Sequence, residues 1–471
     1  ERFKAEVRAM RAWTYLGMTM TFGKVPLITE VLDYNSPNIP RDEVSVIRDF
    51  IMKELTEAAA ILPEKYAGGY PNEKGRITKY ACLSLKARAA LYFGDYALAE
   101  STAKEVMDKG GFSLFKISSL SDAQKKEAEE MSLYIDFAEK GIDKDEFVKG
   151  MFNYEALWHT ENANPDNPEY IMTRQYAASS WDYQDMTRYT SMRPNQLGGW
   201  SSVTPTQNLV DAYWGVDGHS VPQLPTPEER AKAYNQIKAD LDAYQKPEGE
   251  AKFIAFCQEK IKNGTLKDYK YIQEFRNRDS RMYVSILMPF KSWYESNYGD
   301  KFVYEWIKNG NNESKTGFNF RKMLSLENDA NGDGQATGDY PCIRYAEILL
   351  IYAEAHTQTT GYDAATEAAL NQLRDRCGMP DVPSGLSKEE GLKLIQNERR
   401  IELAGEGFRG DDMTRYSDDY WKEHMNNVPI MTPDGDTELT MKWSSRMRLK
   451  PIPQTAIDLN PLLAGDQNPG Y

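Results

Sequence analysis

The stretch from 180 to 215 carries the residue types that bind sugars. A pyranose ring presents a face of C–H groups that packs on indole or phenol rings. Its hydroxyls hydrogen-bond to amides, carboxylates and guanidiniums nearby. Trp181, Tyr183, Tyr189 and Trp200 supply the rings, interleaved with Asp182, Gln184, Arg188, Asn195 and Gln196. Gly198-Gly199 ahead of Trp200 frees the backbone to turn the indole outward. Trp293 and Tyr294, followed by Asn297, Tyr298 and Gly299, form a second candidate platform. The competing reading is burial, since Trp is highly buried on average. Trp13 and Trp421, on helical ground, are read as core. For Trp181 and Trp200, on loop-like ground, core packing and ligand contact both stay open.

Other chemistry is sparser. Asp329, Asn331 and Asp333, with Gly334, match positions 1, 3, 5 and 6 of a calcium loop, but position 12 is Tyr340 where a bidentate Glu belongs. Either a structural calcium ion or an Asn-Gly turn explains the run. His159, His219, His356 and His424 form no ligand pair, and no nucleophile elbow or catalytic cysteine pattern is present. Gly310 to Thr316 has the outline of a phosphate loop but lacks the glycine before Lys315, and a hairpin turn accounts for it. Asp411 and Asp412 are adjacent and point in different directions, so a structural ion-pair or capping role is expected. The chain is therefore expected not to be an enzyme, with a glycoside hydrolase as the weaker alternative; that would need two carboxylates set across a cleft.

Glu398 and Glu402 continue the apolar stripe of a helix begun by Leu392, Leu394 and Ile395. Carboxylates on a core-facing stripe are costly unless paired, which predicts a buried ionic network with Arg399, Arg400 or Arg409 close by.

The elements that position these residues are mostly helices. Residues 2–22 place Phe3, Val7, Met10, Thr14 and Gly17 on one stripe, read as the core face, with Trp13, Leu16 and Met20 beside it. Residues 42–62 repeat the pattern. Lys79 to Lys109 reads as a helix–turn–helix bent at Gly94-Asp95-Tyr96. A second copy at 345–377 bends at Gly361-Tyr362-Asp363, and both have tetratricopeptide character. The helix of the second copy is read as starting at Pro341, in a first turn that tolerates proline, with Cys342 on its apolar face. Ser387-Lys388-Glu389-Glu390 is a capping box. Between 113 and 325 aromatics alternate with Asn, Pro and Gly, and 302–308 with 317–323 read as a β-hairpin. The expected fold is mainly α: a tetratricopeptide-like scaffold (1–112 and 326–471, the latter with an extended tail) split by a loop-rich ligand-binding insertion (113–325) with short hairpins.

IRYAEILLIYAEA (343–355), NERRIELAGEGFRGDD (397–412) and LKPIPQTAIDLNPLLAGDQNPGY (449–471) resemble the SusD/RagB family. Earlier blocks at 11–30, 75–99, 205–218 and 277–287 resemble it too. The resemblance implies a cell-surface lipoprotein of the bacterial outer membrane that binds a glycan. It implies a TonB-dependent transporter of the SusC type as partner, on which the protein sits as a lid. The RagB branch implies an oligopeptide ligand as the alternative. It further implies a lipid-bearing N-terminal cysteine, absent from this sequence, and a missing segment before residue 11 that helps build the ligand surface. The chain, which begins at Glu1, is read as processed or truncated.

Bulk composition agrees. Of 471 residues, 41% are apolar and 27% charged, ordinary for a globular protein. A net charge of −14 argues against nucleic acid, whose phosphates need clustered Lys and Arg. The aromatic load, 29 Tyr and 9 Trp, fits a sugar binder. Cys82, Cys257, Cys342 and Cys377 share no metal spacing and are read as inert.

Overall fold

The computed structural model describes residues 1–67, 73–176, 199–245, 250–294, 303–324 and 337–471. Four helices open the chain: α1 (Arg2–Phe22), α2 (Val44–Ala59), α3 (Lys79–Tyr92) and α4 (Tyr96–Lys109). Each packs on the next. After a long excursion the chain returns as α13 (Tyr345–Thr359), α14 (Ala364–Arg376) and α15 (Lys388–Glu402), and α13 docks directly on α4. The scaffold split in sequence is thus continuous in space. Both predicted turns recur with one chemistry. Gly94 and Gly361 sit at positive φ, and the Asp95 and Asp363 carboxylates then accept N–H groups of the next helix. The capping box at Ser387 forms as read.

The excursion holds α5 (Asp122–Glu130), α6 (Phe137–Lys140), α7 (Lys144–Ala156), β1 (Tyr170–Arg174), α8 (Gln207–Ala212), α9 (Pro227–Ala243), α10 (Glu250–Lys262), α11 (Lys270–Gln273), α12 (Ser280–Ser285), β2 (Ile286–Leu287) and β3 (Asn319–Phe320). Its aromatic core, around Phe147, Tyr234, Tyr271, Tyr283 and Phe290, also takes in Cys377, Met379 and Ile401 from the scaffold. β4 (Tyr340–Arg344) pairs antiparallel with β1 and leads into α13. The C-terminal part adds α16 (Phe408–Arg415), α17 (Asp418–Met425), a hairpin of β5 (Pro429–Met431) and β6 (Thr437–Thr440), and α18 (Gln454–Leu459).

Three sequence readings need correction. Phe3, Val7 and Met10 are exposed, and the buried face of α1 carries Ala5, Ala9, Ala12, Leu16 and Met20. Small side chains let α1 lie close to α2, so the alanine face is the packed one. Pro341 and Cys342 belong to β4, and the helix starts at Tyr345. The extended run into the helix is used to pair with β1. The expected hairpin does not form either: Asn319–Phe320 pairs with Ile286–Leu287, and Val303 bridges to Ser292.

A layer of buried charge joins the two cores. Glu402, fully buried, accepts from Arg344 Nη1 at 2.8 Å and Arg281 Nη1 at 3.0 Å, and it also pairs with Arg376. Glu398 meets Arg374 Nη2 at 2.6 Å and Arg281 Nη1 at 2.7 Å. Glu169, Asp279, Glu406 and Lys322 complete the layer. The carboxylates face inward as predicted, but their partners differ. Arg399 instead binds Asp412, Arg400 binds Asn208, and Arg409 binds the Tyr420 hydroxyl. Asp412, held by Arg399 and Arg415, has the structural ion-pair role expected of it.

Candidate functional site

Trp200 is 43% exposed, on the loop that feeds α8. The next residue, Ser201, is held at φ 46°, a left-handed conformation that a non-glycine residue keeps only under constraint. Its Oγ accepts from Asn319 Nδ2 at 3.0 Å, and Asn319 Oδ1 accepts from the buried Tyr304 hydroxyl at 2.9 Å. This chain of bonds ties the residue next to Trp200 to β3.

Three residues on, Val203 begins the wall of a cleft of about 460 Å³, within the roughly 300–1,000 Å³ usual for small-ligand sites. Pro205, Leu209, Phe320 and Leu403 give it an apolar lining. The run from Gly405 to Gly410, a turn that leads into the first residues of α16, also lines it. Gly405 lies at φ 79°, a left-handed conformation that calls for glycine. Arg400 and Arg409 line the same cleft. Burial, and then the neighbouring Arg409, push the Arg400 guanidinium down to about 10.

A second cleft, of about 280 Å³, shares Asn208 of α8 with the first and is lined in part by Asp211, Arg230 and Tyr271. Gln207 Nε2 donates to Asp211 Oδ1 at 2.7 Å and to Glu274 Oε1 at 2.9 Å, while Arg230 Nε holds Glu274 at 2.7 Å. Burial raises both carboxyls, Glu274 to about 7, against the pull of Arg230.

Of the residues singled out in the sequence, Trp181, Tyr183, Tyr189, Asn195 and Gln196 lie outside the described residues, as do Asp329, Asn331 and Asp333. Among the described residues no group of three acidic, His or Cys side chains could hold a metal ion. Trp293, 2% exposed, packs with Leu287, Tyr304 and Leu324 under the Arg321 guanidinium. It is a core residue, not an exposed platform. Tyr294 is part-buried, and its hydroxyl donates to Glu130. The 203–206 wall and the Gly405–Gly410 turn were missed as a site. The glycine spacing in GEGFRGDD, beside Arg400 and Arg409, was the signal for them.

A stacked helical-repeat scaffold carrying a loop-built cleft and an exposed indole places the chain in the α-rich fold class. The chain belongs to the SusD family, whose model matches residues 168–471. It is similar to SusD-like protein P38 of Formosa agariphila, 22% identical over 88% of this chain, and it spans only 66% of that relative's length. A SusD-like protein of Bacteroides fragilis is 25% identical, with a TM-score of 0.72 over 100% of this chain and 80% of its own. A SusD-like carbohydrate-binding protein of the same species, 21% identical, shares the fold at a TM-score of 0.69 over 98% of this chain and 79% of its own.

Proposed function

We propose that the protein captures a poly- or oligosaccharide at the bacterial cell surface and hands it to a TonB-dependent outer-membrane transporter of the SusC type. The carrying observation is the exposed Trp200, three residues before the first wall residue of a cleft with an apolar lining, in a chain of the SusD family. A relative in that fold, the carbohydrate-binding protein of Bacteroides fragilis, supports the ligand class. The surface location, through a lipid on a cysteine preceding this sequence, is part of the same proposal. No helix among the described residues is long and apolar enough to cross a membrane.

Binding without hydrolysis is favoured by the state of the raised carboxyl pair of Asp211, which lines the second cleft, and Glu274. Asp211 and Glu274 share a single amide, and Glu274 is also clamped by Arg230. A hydrolytic pair needs its carboxyls free to face each other across a sugar. Affinity electrophoresis against neutral and acidic polysaccharides, run beside calorimetry with peptide mixtures, tests the proposal. Retardation by at least one glycan, with no new reducing ends, is the expected outcome. Binding to peptides alone would replace the glycan with an oligopeptide.

A further inference from the structure

The cleft that begins at Val203 carries more positive charge than its one carboxylate balances. Three arginines line it, Arg399, Arg400 and Arg409, against one carboxylate, Asp412. Asp412 is already taken by Arg399, at 2.8 and 2.9 Å, and by Arg415. Arg400 Nη2 bonds only to neutral oxygens of Asn208, at 2.6 and 2.9 Å. Arg409 Nη1 bonds to the Tyr420 hydroxyl at 2.7 Å. Neither forms an ion pair with a described residue. The Arg399 side chain is 3% exposed, and its Nη1 is buried with no hydrogen bond to a described residue. That is an unmet donor in the wall of the cleft. α16 also opens here at Gly407, whose position offers no side chain to cap the first-turn N–H groups. Guanidiniums, an unmet buried donor and an open helix N-terminus all favour an oxyanion. They do so in a chain whose net charge is −14, so the cationic cleft runs against the whole-molecule balance.

We propose that this cleft binds the oxyanion of an acidic sugar residue, a carboxylate or a sulfate ester, with Arg400 and Arg409 as its binding groups. The proposal rests on the glycan reading above. Pro205, Leu209 and Phe320 accept the C–H face of the ring, and the guanidiniums, joined by the α16 N-terminus, take the charged substituent. The carboxylate and sulfate forms share this chemistry and are told apart only by the ligand.

The test is calorimetry with tetragalacturonic acid, its fully methyl-esterified form, and a sulfated and a neutral galacto-oligosaccharide of equal length. One charged probe is expected to bind at least tenfold more tightly than its neutral counterpart, with affinity falling as salt rises. Arg409→Gln, on the rim, is expected to remove most of that discrimination while leaving the melting temperature in place. Arg400→Gln should do the same, and Arg409→Gln keeps the test valid if loss of the Asn208 tie unfolds the Arg400 variant. Equal binding of charged and neutral probes, unaffected by Arg409→Gln, overturns the acidic assignment and leaves glycan capture standing. Binding of no sugar, with peptides bound through a free C-terminal carboxylate and lost on amidation, overturns both.

Discussion

Single side chains set the sharpest expectations. Trp200 sits on an anchored loop, so Trp200→Ala should weaken binding to a retarding polysaccharide at least fivefold, about 1 kcal/mol or more for a stacked indole, with the melting temperature held. A large fall in melting temperature would make the ring structural. Glu402→Ala acts in the opposite way: it removes the carboxylate that Arg281, Arg344 and Arg376 share and leaves a buried layer short of one negative charge. A loss of about 3 kcal/mol or more in denaturant unfolding, with sugar binding unchanged in the folded fraction, is expected. A curve matching the wild type would sink that account. The inward facing of Glu402 was legible because a carboxylate that continues an apolar stripe must meet a cation in the interior or cost the helix its packing. Its partners were not: they come from positions 281, 344 and 376, and no local spacing connects residues that meet only after folding. Trp293 shows the same limit, since an indole beside Asn and Gly residues reads as loop-borne until Leu287, Tyr304 and Leu324 close around it.

At the scale of elements, turn and cap chemistry was the readable part. The Gly94-Asp95 and Gly361-Tyr362-Asp363 bends and the Ser387 box are local rules, and the structure keeps them. Facing failed where a helix packs through small residues: the larger apolar side chains of α1 drew the stripe to the wrong side. Pro341 failed because a strand running straight into a helix leaves no break in hydrophobic pattern. One side chain links three of these elements. His356 on α13 bonds to Glu100 of α4 at 2.7 Å and to Asp363, the cap of α14, at 3.1 Å. Burial opposes its charge, but the two carboxylates outweigh burial and raise its pKa above the ordinary 6.5. A raised histidine contributes stability that is full below the unfolded value near 6.5 and lost as pH climbs through the folded value. The gap in melting temperature between the protein and His356→Gln should thus be widest near pH 6 and shrink toward pH 8.5. A gap independent of pH would mean that the ring acts through packing alone.

On the scale of the whole molecule, the two cores meet through ions as well as apolar contact. Burial alone would raise Asp279, Glu402 and Glu406. Arg281 holds the first below the ordinary range, Arg344 and Arg376 the second, and Arg344 with Lys322 the third. Glu127, beside Arg321 and Lys291, and Asp412, beside Arg399 and Arg415, are lowered in the same way. Carboxyls depressed on folding contribute stability that is full above their unfolded values, near 4.5 for Glu and 3.8 for Asp, and lost as pH falls toward the folded values. The contribution of these depressed carboxyls should therefore stay level from about pH 7 to about pH 5, where the raised Glu274 and His356 add a gain as pH falls, and total stability should drop steeply below about pH 4.5. The scaffold helices carry their own backbone bonds and an alanine-rich core, whereas the joint between the cores depends on these ions. Acid should loosen that joint before it melts the helices. Near-ultraviolet circular dichroism and tryptophan fluorescence, which report packing of the aromatic core, should change at a higher pH than the far-ultraviolet helix signal, with dye binding to newly exposed apolar surface between the two transitions. Coincident loss of all signals would show one cooperative unit. Full near-ultraviolet signal at pH 3 would show that the charged layer carries little of the stability assigned to it.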